Sequence, residues 1–178
     1  HWLTGSKREQ KSARLRSKRP YSSFMTSNFL IKRTLIQKIA FDEQLTSYGH
    51  EDTLFGYRLK KQQSGIWHID NPVIHKGLVS SADFLEKTGQ AMKNLYLAWE
   101  ITGFDPDFAH ANKALGWYVK IKKTGMHVVM KRLLSMAQKY ILNKLLSAKP
   151  RLLVLDLYKL GRLLEIASKS DEIRKEDC

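Results

Sequence analysis

Two adjacent carboxylates behind a glycine are the residues in this sequence best suited to do chemistry. Glu51 and Asp52 follow Gly49, at the predicted start of a helix over residues 51–63. Glycine lets the backbone turn sharply and approach a ligand closely. Neighbouring acids on a rigid turn point in different directions, so one can orient a hydroxyl-bearing substrate while the other removes its proton. The alternative is that both acids only stabilise the helix end through its dipole.

A histidine further along the chain is the second candidate. His75 ends a predicted extended segment, and imidazole is a common ligand for divalent metals. A lone histidine is more often a surface residue or a hydrogen-bonded core residue, so the structural alternative stays open. Asp105-Pro106-Asp107 spells an Asp-x-Asp metal motif, but it lies between predicted helices. We interpret it as a turn and N-cap for a helix beginning near Phe108.

The elements that must position these residues divide the chain into three parts. Residues 1–20 are basic and lack an apolar period, which is typical of a flexible segment. Residues 21–79 alternate short apolar runs with a helical pattern, which predicts a mixed α/β region. Residues 80–178 predict a helical extension, basic and amphipathic. The predicted strands are 27–32, 66–69 and 73–75, and the predicted helices of the extension are 81–102, 108–123, 127–147 and 150–168.

Charge is distributed unevenly along the chain. The net charge of +14 comes from +8 over residues 1–33, −3 over 34–112 and +9 over 113–178. Basic ends around an acidic centre favour a catalytic centre with a separate anionic partner, such as an anionic membrane surface, over nucleic acid. No apolar run reaches the roughly 18 residues that span a bilayer. The single cysteine, Cys178, excludes an internal disulfide and fits a reducing compartment.

Four ordered pieces of residues 20–80 resemble family 2 glycosyltransferases. They have the order and spacing of the second half of the GT-A domain in that family. The pieces are Phe24 to Arg33, Ile39 to Glu43 with its Phe-Asp-Glu, Tyr48 to Leu59 with Gly-x-Glu-Asp and Arg-Leu, and Asp70 to His75. The resemblance implies an α/β fold, namely the C-terminal half of a GT-A domain followed by the helical extension.

The resemblance also implies a function and residue roles. Such enzymes are hexosyltransferase-like and transfer a sugar from a nucleotide-diphosphate donor to the hydroxyl of a carbohydrate or lipid-linked acceptor, with inversion, in polysaccharide or glycolipid synthesis. Asp52 matches the general base, and Glu51, Gly49 and Asn28 match positions around the acceptor. His75 matches a position that helps hold the metal or the diphosphate. Arg58 would support its helix, and Trp67 and His68 would belong to the core.

The resemblance implies a divalent metal, Mn²⁺ or Mg²⁺, held mostly by a donor-binding half that would carry Asp-x-Asp. That half would precede residue 1, so we expect no turnover from these 178 residues alone. It further implies a cytoplasmic protein, peripheral at the inner face of the membrane. The alternative is a non-catalytic basic helical module that binds an anionic membrane surface or nucleic acid. We find no nucleic-acid motif, so nucleic acid is the less favoured partner.

Overall fold

The computed structural model describes residues 2–74, 76–77 and 79–176, and within these ranges the chain folds only into helices. Helices account for 64% of the chain. In chain order they are α1 (Trp2–Thr4), a π-helical turn (Gly5–Glu9), α2 (Ala13–Ser17), α3 (Arg33–Ile39), α4 (Glu51–Lys61), α5 (Ser81–Ile101), α6 (Pro106–Ala111), α7 (Lys113–Lys123), α8 (His127–Met136), α9 (Gln138–Leu146) and α10 (Leu152–Glu176).

The predicted α/β fold, the C-terminal half of a GT-A domain, is therefore wrong. Segments 27–32 and 66–74 form no strand within the described residues. A strand needs a neighbour whose backbone completes its hydrogen-bond ladder. Here side chains take that place: Asn28 Nδ2 donates to the Asn71 carbonyl at 3.0 Å, and the Arg16 guanidinium donates to the Ile69 carbonyl at 2.7 Å.

Several of the apolar residues that suggested these strands are exposed in the structure. Leu30 is 99% exposed, Ile74 87% and Trp67 86%. A core position for Trp67 was therefore a wrong prediction. Ile31 and Ile66 are partly buried against the apolar cluster of Ile39, Phe55 and Leu59. Alternating apolar residues can thus have one face covered, but without a neighbouring strand they form no sheet.

Helix α5 begins at an N-cap and carries much of the core. The Ser80 hydroxyl accepts a hydrogen bond from the Asp83 backbone N–H at 3.1 Å and donates to the Asp83 carboxylate at 2.8 Å. This reciprocal arrangement satisfies groups that a helix start leaves open. Met92, Leu95 and Trp99 then follow helical spacing and are buried. The predicted helix over 81–102 is confirmed to within one residue.

Helix α10 is the central element of the bundle. It packs against α5, α7, α8 and α9, so its apolar residues are covered on several sides. Each fully buried large aliphatic side chain contributes about 1.5–3 kcal/mol. The main core is formed by α4–α7 and α10, and its buried residues include Leu54, Met92, Leu95, Trp99, Phe108, Leu115, Tyr118, Leu160, Leu163 and Leu164.

Helix α4 is held by a smaller apolar cluster. Phe55 and Leu59 pack with Ile39 of α3, and each of the three is under 9% exposed. The ring of Phe41 stacks on that of Phe55, with 4.5 Å between the centroids. Phe24 stacks on Phe55 at 5.5 Å. The helix that carries Glu51 and Asp52 is therefore anchored by its inner face, while Glu51 in its first turn is exposed.

Two predicted helices are split in the structure. The pattern over 108–123 divides at Asn112, whose side-chain oxygen accepts from the backbone N–H of Ala114 and of Leu115 and so caps α7. The pattern over 127–147 divides at Ala137. Periodicity does not reveal such breaks because both halves keep apolar residues at helical spacing. Among the described helices, none combines the length and the apolar character needed to cross a membrane.

Candidate active site at the start of α4

The turn before α4 has an uncommon backbone. Gly49 has a φ of 95° and His50 a φ of 70°. A Cβ on Gly49 would lie 2.9 Å from the Cβ of Ala91 in α5. Positive φ and this close approach each require glycine at position 49. The predicted sharp turn at Gly49 is confirmed, but its close approach is to α5, and the predicted approach to a ligand stays a prediction.

Asn94 of α5 holds this turn in place. Its Nδ2 donates to the carbonyl of Ser47 at 2.6 Å and to that of Gly49 at 3.0 Å. The residue is only 3% exposed. Sequence reasoning missed it, although an amide on an otherwise apolar helix face was a usable signal, because a buried amide needs partners. The start of α4 is thus hydrogen-bonded to α5, a long helix of the main core.

Asp52 lies in the first turn of α4 and is partly buried. The Thr53 hydroxyl donates to Asp52 Oδ1 at 3.3 Å, and His50 Nδ1 lies 3.0 Å from the Thr53 oxygen. A hydroxyl has one proton to donate. Because Thr53 donates that proton in its hydrogen bond to Asp52, the Nδ1–H of His50 must be the donor to the Thr53 oxygen. A short hydrogen-bonded chain therefore runs from His50 through Thr53 to Asp52.

The environment raises the pKa of Asp52. Burial raises the pKa of its carboxyl, the charge of Glu51 raises it further, and the hydrogen bonds from Thr53 only partly oppose this. The net pKa lies above the ordinary value for aspartate. A carboxylate with a raised pKa is a stronger base than an exposed one and accepts a proton more readily from a hydroxyl. Glu51 itself is exposed and accessible to solutes.

His50 is held in the neutral form. Burial lowers the pKa of its imidazole to about 3, and the positive charge of Lys159 acts in the same direction. At neutral pH the ring therefore carries one proton, as the hydrogen bond to Thr53 requires. His50 can orient Asp52 through Thr53 but does not add a positive charge to the site. The sequence alone predicted no role for His50.

A cavity of about 230 Å³ opens beside the Gly49–His50 turn. Its polar lining includes His50, Thr88, Lys87 and Lys159, and no carboxylate lines it among the described residues. Asp52 is not part of the lining either. The cavity therefore lies on the His50 side of the turn. Glu51 and Asp52, the first two residues of α4, lie outside its lining.

Two of the sequence pieces that resembled the glycosyltransferase family meet at α4. The Arg58 guanidinium forms an ion pair with the Asp42 carboxylate and donates to the Ala40 carbonyl at 3.1 Å. Asp42 belongs to the Phe-Asp-Glu piece and Arg58 to the Arg-Leu piece. The expectation that Arg58 supports its helix is confirmed. The pairing fixes α4 against the segment that follows α3.

The predicted site residues do not all gather in one place. Gly49, Glu51 and Asp52 share the turn and the first turn of α4. Asn28 instead bonds to the Asn71 carbonyl and ties two extended segments together. His75, the predicted metal or diphosphate ligand, lies outside the described residues.

The described residues do not form a metal site, since no three of their His, Cys, Asp or Glu side chains converge as ligands. Asp105 accepts from the Asp107 backbone N–H at 2.7 Å and also binds Tyr57 and Lys61. The prediction that Asp105-Pro106-Asp107 forms a turn and N-cap is thus confirmed, with the helix beginning at Pro106.

Comparison with known proteins gives no match. No protein family, no curated protein and no solved structure is significantly similar to this chain.

Proposed function

We propose that this chain carries the acceptor-side general base of a glycosyltransferase, and that Asp52 is that base. The observation that carries the proposal is the state of Asp52. It lies in the first turn of a firmly anchored helix, its pKa is raised by burial and by Glu51, and Thr53 orients it. A helix cap needs only a charged or polar oxygen, whereas a base at neutral pH benefits from a raised pKa.

The proposed reaction is a single displacement. The Asp52 carboxylate takes the proton of an acceptor hydroxyl, and the resulting oxygen attacks the anomeric carbon of a nucleotide-diphosphate sugar. The bond from that carbon to the diphosphate oxygen breaks as the new glycosidic bond forms, so the configuration inverts. Glu51, exposed beside Asp52, is placed to accept hydrogen bonds from the other hydroxyls of the acceptor.

The order of the sequence pieces supports the proposal, as does the contact between two of them through Asp42 and Arg58. A GT-A sheet is not part of the proposal, and no step runs through a metal, because the described residues do not form a site for one. Donor binding and a divalent metal belong to what the resemblance implies for residues beyond those described. The proposal places transfer on the cytoplasmic side, where nucleotide sugars are available.

The decisive experiment is Asp52→Asn in the natural gene product. Nucleoside diphosphate release is followed with a panel of nucleotide sugars and of carbohydrate and lipid-linked acceptors. We expect the rate to fall by roughly 10²–10⁴-fold, the usual contribution of a general base, while the melting temperature stays unchanged. The amide keeps the shape of the carboxyl and can still accept from Thr53, so folding is preserved.

Asp107→Asn is the matched control. Asp107 also lies in the first turn of a helix and belongs to the Asp-x-Asp letters. Its replacement should leave turnover unchanged. Equal turnover of Asp52→Asn and the unaltered protein would overturn the role of Asp52. Absence of transfer from every donor in the panel by the unaltered protein would overturn the glycosyltransferase proposal itself.

A further inference from the structure

An exposed row of apolar side chains runs along α8 and α9. Its members follow one another at spacings of three and four residues, so they share one helix face within an arc of about 80°. We call this row the outer stripe; it consists of Met126, Val129, Leu133, Met136 and Tyr140. Their exposed fractions are 53%, 55%, 55%, 77% and 70%, so every member is accessible to solvent.

The outer stripe continues across the break between the two helices. The Ala137 backbone N–H donates to the Leu133 carbonyl at 3.0 Å, and the Ile141 N–H donates to the Ala137 carbonyl at 2.9 Å. Ala137 is therefore hydrogen-bonded to both helices, although it is a turn residue that separates them. At 1.5 Å per residue, the stripe is about 20 Å long.

The outer stripe is separate from the face that holds α8 and α9 in the bundle. Leu134, Ile141 and Leu145 pack inward against the helices they adjoin. The core thus contains a different set of apolar residues, and the side chains of the outer stripe remain exposed. Contiguous exposed apolar surface of this kind marks a binding surface in a soluble protein.

The charged side chains on α8 and α9 have a single sign. Residues 108–155 contain no Asp or Glu, and they contain ten Lys or Arg. Arg132 and Lys139 are exposed on the flank of the stripe in α8 and α9. An apolar row beside cations is the pattern of a helix that lies in a membrane interface, where the apolar side chains enter the acyl region and the cations meet anionic headgroups.

We propose that the outer stripe docks α8 and α9 on an anionic lipid surface. The inference is independent of the proposed transfer reaction and holds whether or not Asp52 is a base. Charge complementarity selects this occupant. A second copy of the chain would bring cations against cations, because residues 108–155 offer no acid to pair with them. Nucleic acid would place its phosphates against a row of mostly apolar side chains that cannot form hydrogen bonds or ion pairs with them.

Vesicle co-sedimentation of the protein tests the proposal. The probes are vesicles of phosphatidylcholine alone and vesicles of phosphatidylserine mixed with phosphatidylcholine. We expect binding to the mixed vesicles to be at least about tenfold stronger and to weaken as salt is raised, because surface charge attraction is screened.

Two pairs of variants separate the apolar from the charge contribution. Leu133→Ser with Met136→Ser should weaken binding to the mixed vesicles by about tenfold or more, because each buried apolar side chain adds to the partition energy. Leu30→Ser is its control, since Leu30 is fully exposed but lies off the stripe. It should leave vesicle binding unchanged, and neither change should lower the melting temperature.

Arg132→Glu with Lys139→Glu should also weaken binding to the mixed vesicles by about tenfold or more, since each cation near the surface contributes to attraction. Arg33→Glu with Lys38→Glu makes the same change in net charge on exposed residues of α3. This control should reduce binding far less. A comparable loss in both pairs would mean that net charge alone drives binding, and would overturn the assignment to the stripe.

Other outcomes identify other occupants. Equal binding to both vesicle types, or binding unaffected by the serine variants, would overturn the proposal. So would the absence of vesicle binding together with a dimer in sedimentation equilibrium that Leu133→Ser abolishes, which would assign the stripe to a second copy. Salt-sensitive binding to duplex nucleic acid without vesicle binding would assign the basic residues to phosphates instead.

Discussion

Asp52 differs from an ordinary first-turn acid because of its immediate neighbours. Burial and the charge of Glu51 make the ionised form less favourable, so the pKa rises despite the hydrogen bonds from Thr53. Neutral His50 completes the arrangement from the other side of Thr53. None of these effects requires a bound ligand, so the raised pKa is a property of the free protein. This arrangement makes the pH dependence of Asp52 a direct test of its surroundings.

We predict that Glu51→Gln lowers the pKa of Asp52. The charge of Glu51 raises the pKa of Asp52, so its removal favours ionisation of Asp52. The titration of the Asp52 carboxyl carbon, followed by NMR, should move to lower pH. In the active enzyme the acidic limb of the pH–rate profile should move to lower pH by the same amount.

Glu86→Gln is the control for this titration, because Glu86 is an exposed acid of α5. It should leave the Asp52 titration where it is. A Glu51→Gln variant with an unchanged Asp52 titration would contradict the role assigned to the neighbouring charge. If the acidic limb of the pH–rate profile stayed in place while the NMR titration of Asp52 moved, the role of Asp52 as base would be contradicted.

Helix α4 depends on a close contact with the segment that precedes α3. A Cβ at Gly56 would lie 2.4 Å from the Tyr21 carbonyl oxygen. Backbone atoms cannot yield as a flexible side chain can, so either the helix or the Tyr21 segment would have to move. The glycine inside this helix is therefore a packing requirement, although glycine lowers intrinsic helix stability by about 1 kcal/mol relative to alanine.

We predict that Gly56→Ala lowers the free energy of unfolding by about 1–3 kcal/mol, the range for overpacking a well-filled site. Gly116→Ala in α7 is the matched control. The nearest atom to a Cβ there is the Ala109 carbonyl oxygen at 3.6 Å, an ordinary contact. That change should stabilise the protein by about 0.5–1 kcal/mol. Urea unfolding measures both, and a stabilising Gly56→Ala would contradict the close contact.

At the scale of the whole molecule, one buried acid joins distant parts of the chain. Asp156 of α10 is 7% exposed and pairs with Arg8 at 2.6 Å and with Lys113 of α7 at 2.7 Å. We expected residues 1–20 to be a flexible basic segment, but Arg8 ties the described part of this segment to the central helix. Burial opposes ionisation of Asp156, but the two cations outweigh it and hold its pKa below the ordinary value.

This depressed pKa has a defined consequence for stability. A carboxyl whose pKa is lower in the folded state stabilises the fold at pH above its ordinary pKa. That contribution is lost as the pH falls through the ordinary value towards the depressed one. We predict that Asp156→Asn lowers the free energy of unfolding by about 1–3 kcal/mol at neutral pH, since the freed Arg8 and Lys113 can still reach solvent. The free energy of unfolding of the variant should also fall less as the pH is lowered.

Asp171→Asn is the control on the same helix. Asp171 pairs with Lys122 at 3.1 Å, and both side chains are about 40% exposed. An exposed ion pair contributes about 0–1 kcal/mol, so this change should have little effect. Denaturant unfolding at neutral and acidic pH compares the two variants. Equal effects would contradict the role of Asp156 as the link between α7, α10 and the N-terminal segment.

The sequence by itself determined the features that depend on neighbours along the chain. Apolar spacing predicted α5 to within a residue, and Gly49 indicated the turn before α4. Asp105-Pro106-Asp107 was correctly interpreted as a cap. These features follow from local backbone geometry, which a few adjacent residues control.

Only the tertiary structure decided the remaining features. A sheet needs partner strands, and the structure shows that the apolar run around Trp67 has no strand partner within the described residues. Asn94 donates to the Gly49 carbonyl, 45 residues away in the sequence. Asp156 accepts from Arg8, 148 residues away. The raised pKa of Asp52 likewise depends on burial. Such effects come from residues brought together by folding, and spacing along the chain does not encode which residues will meet.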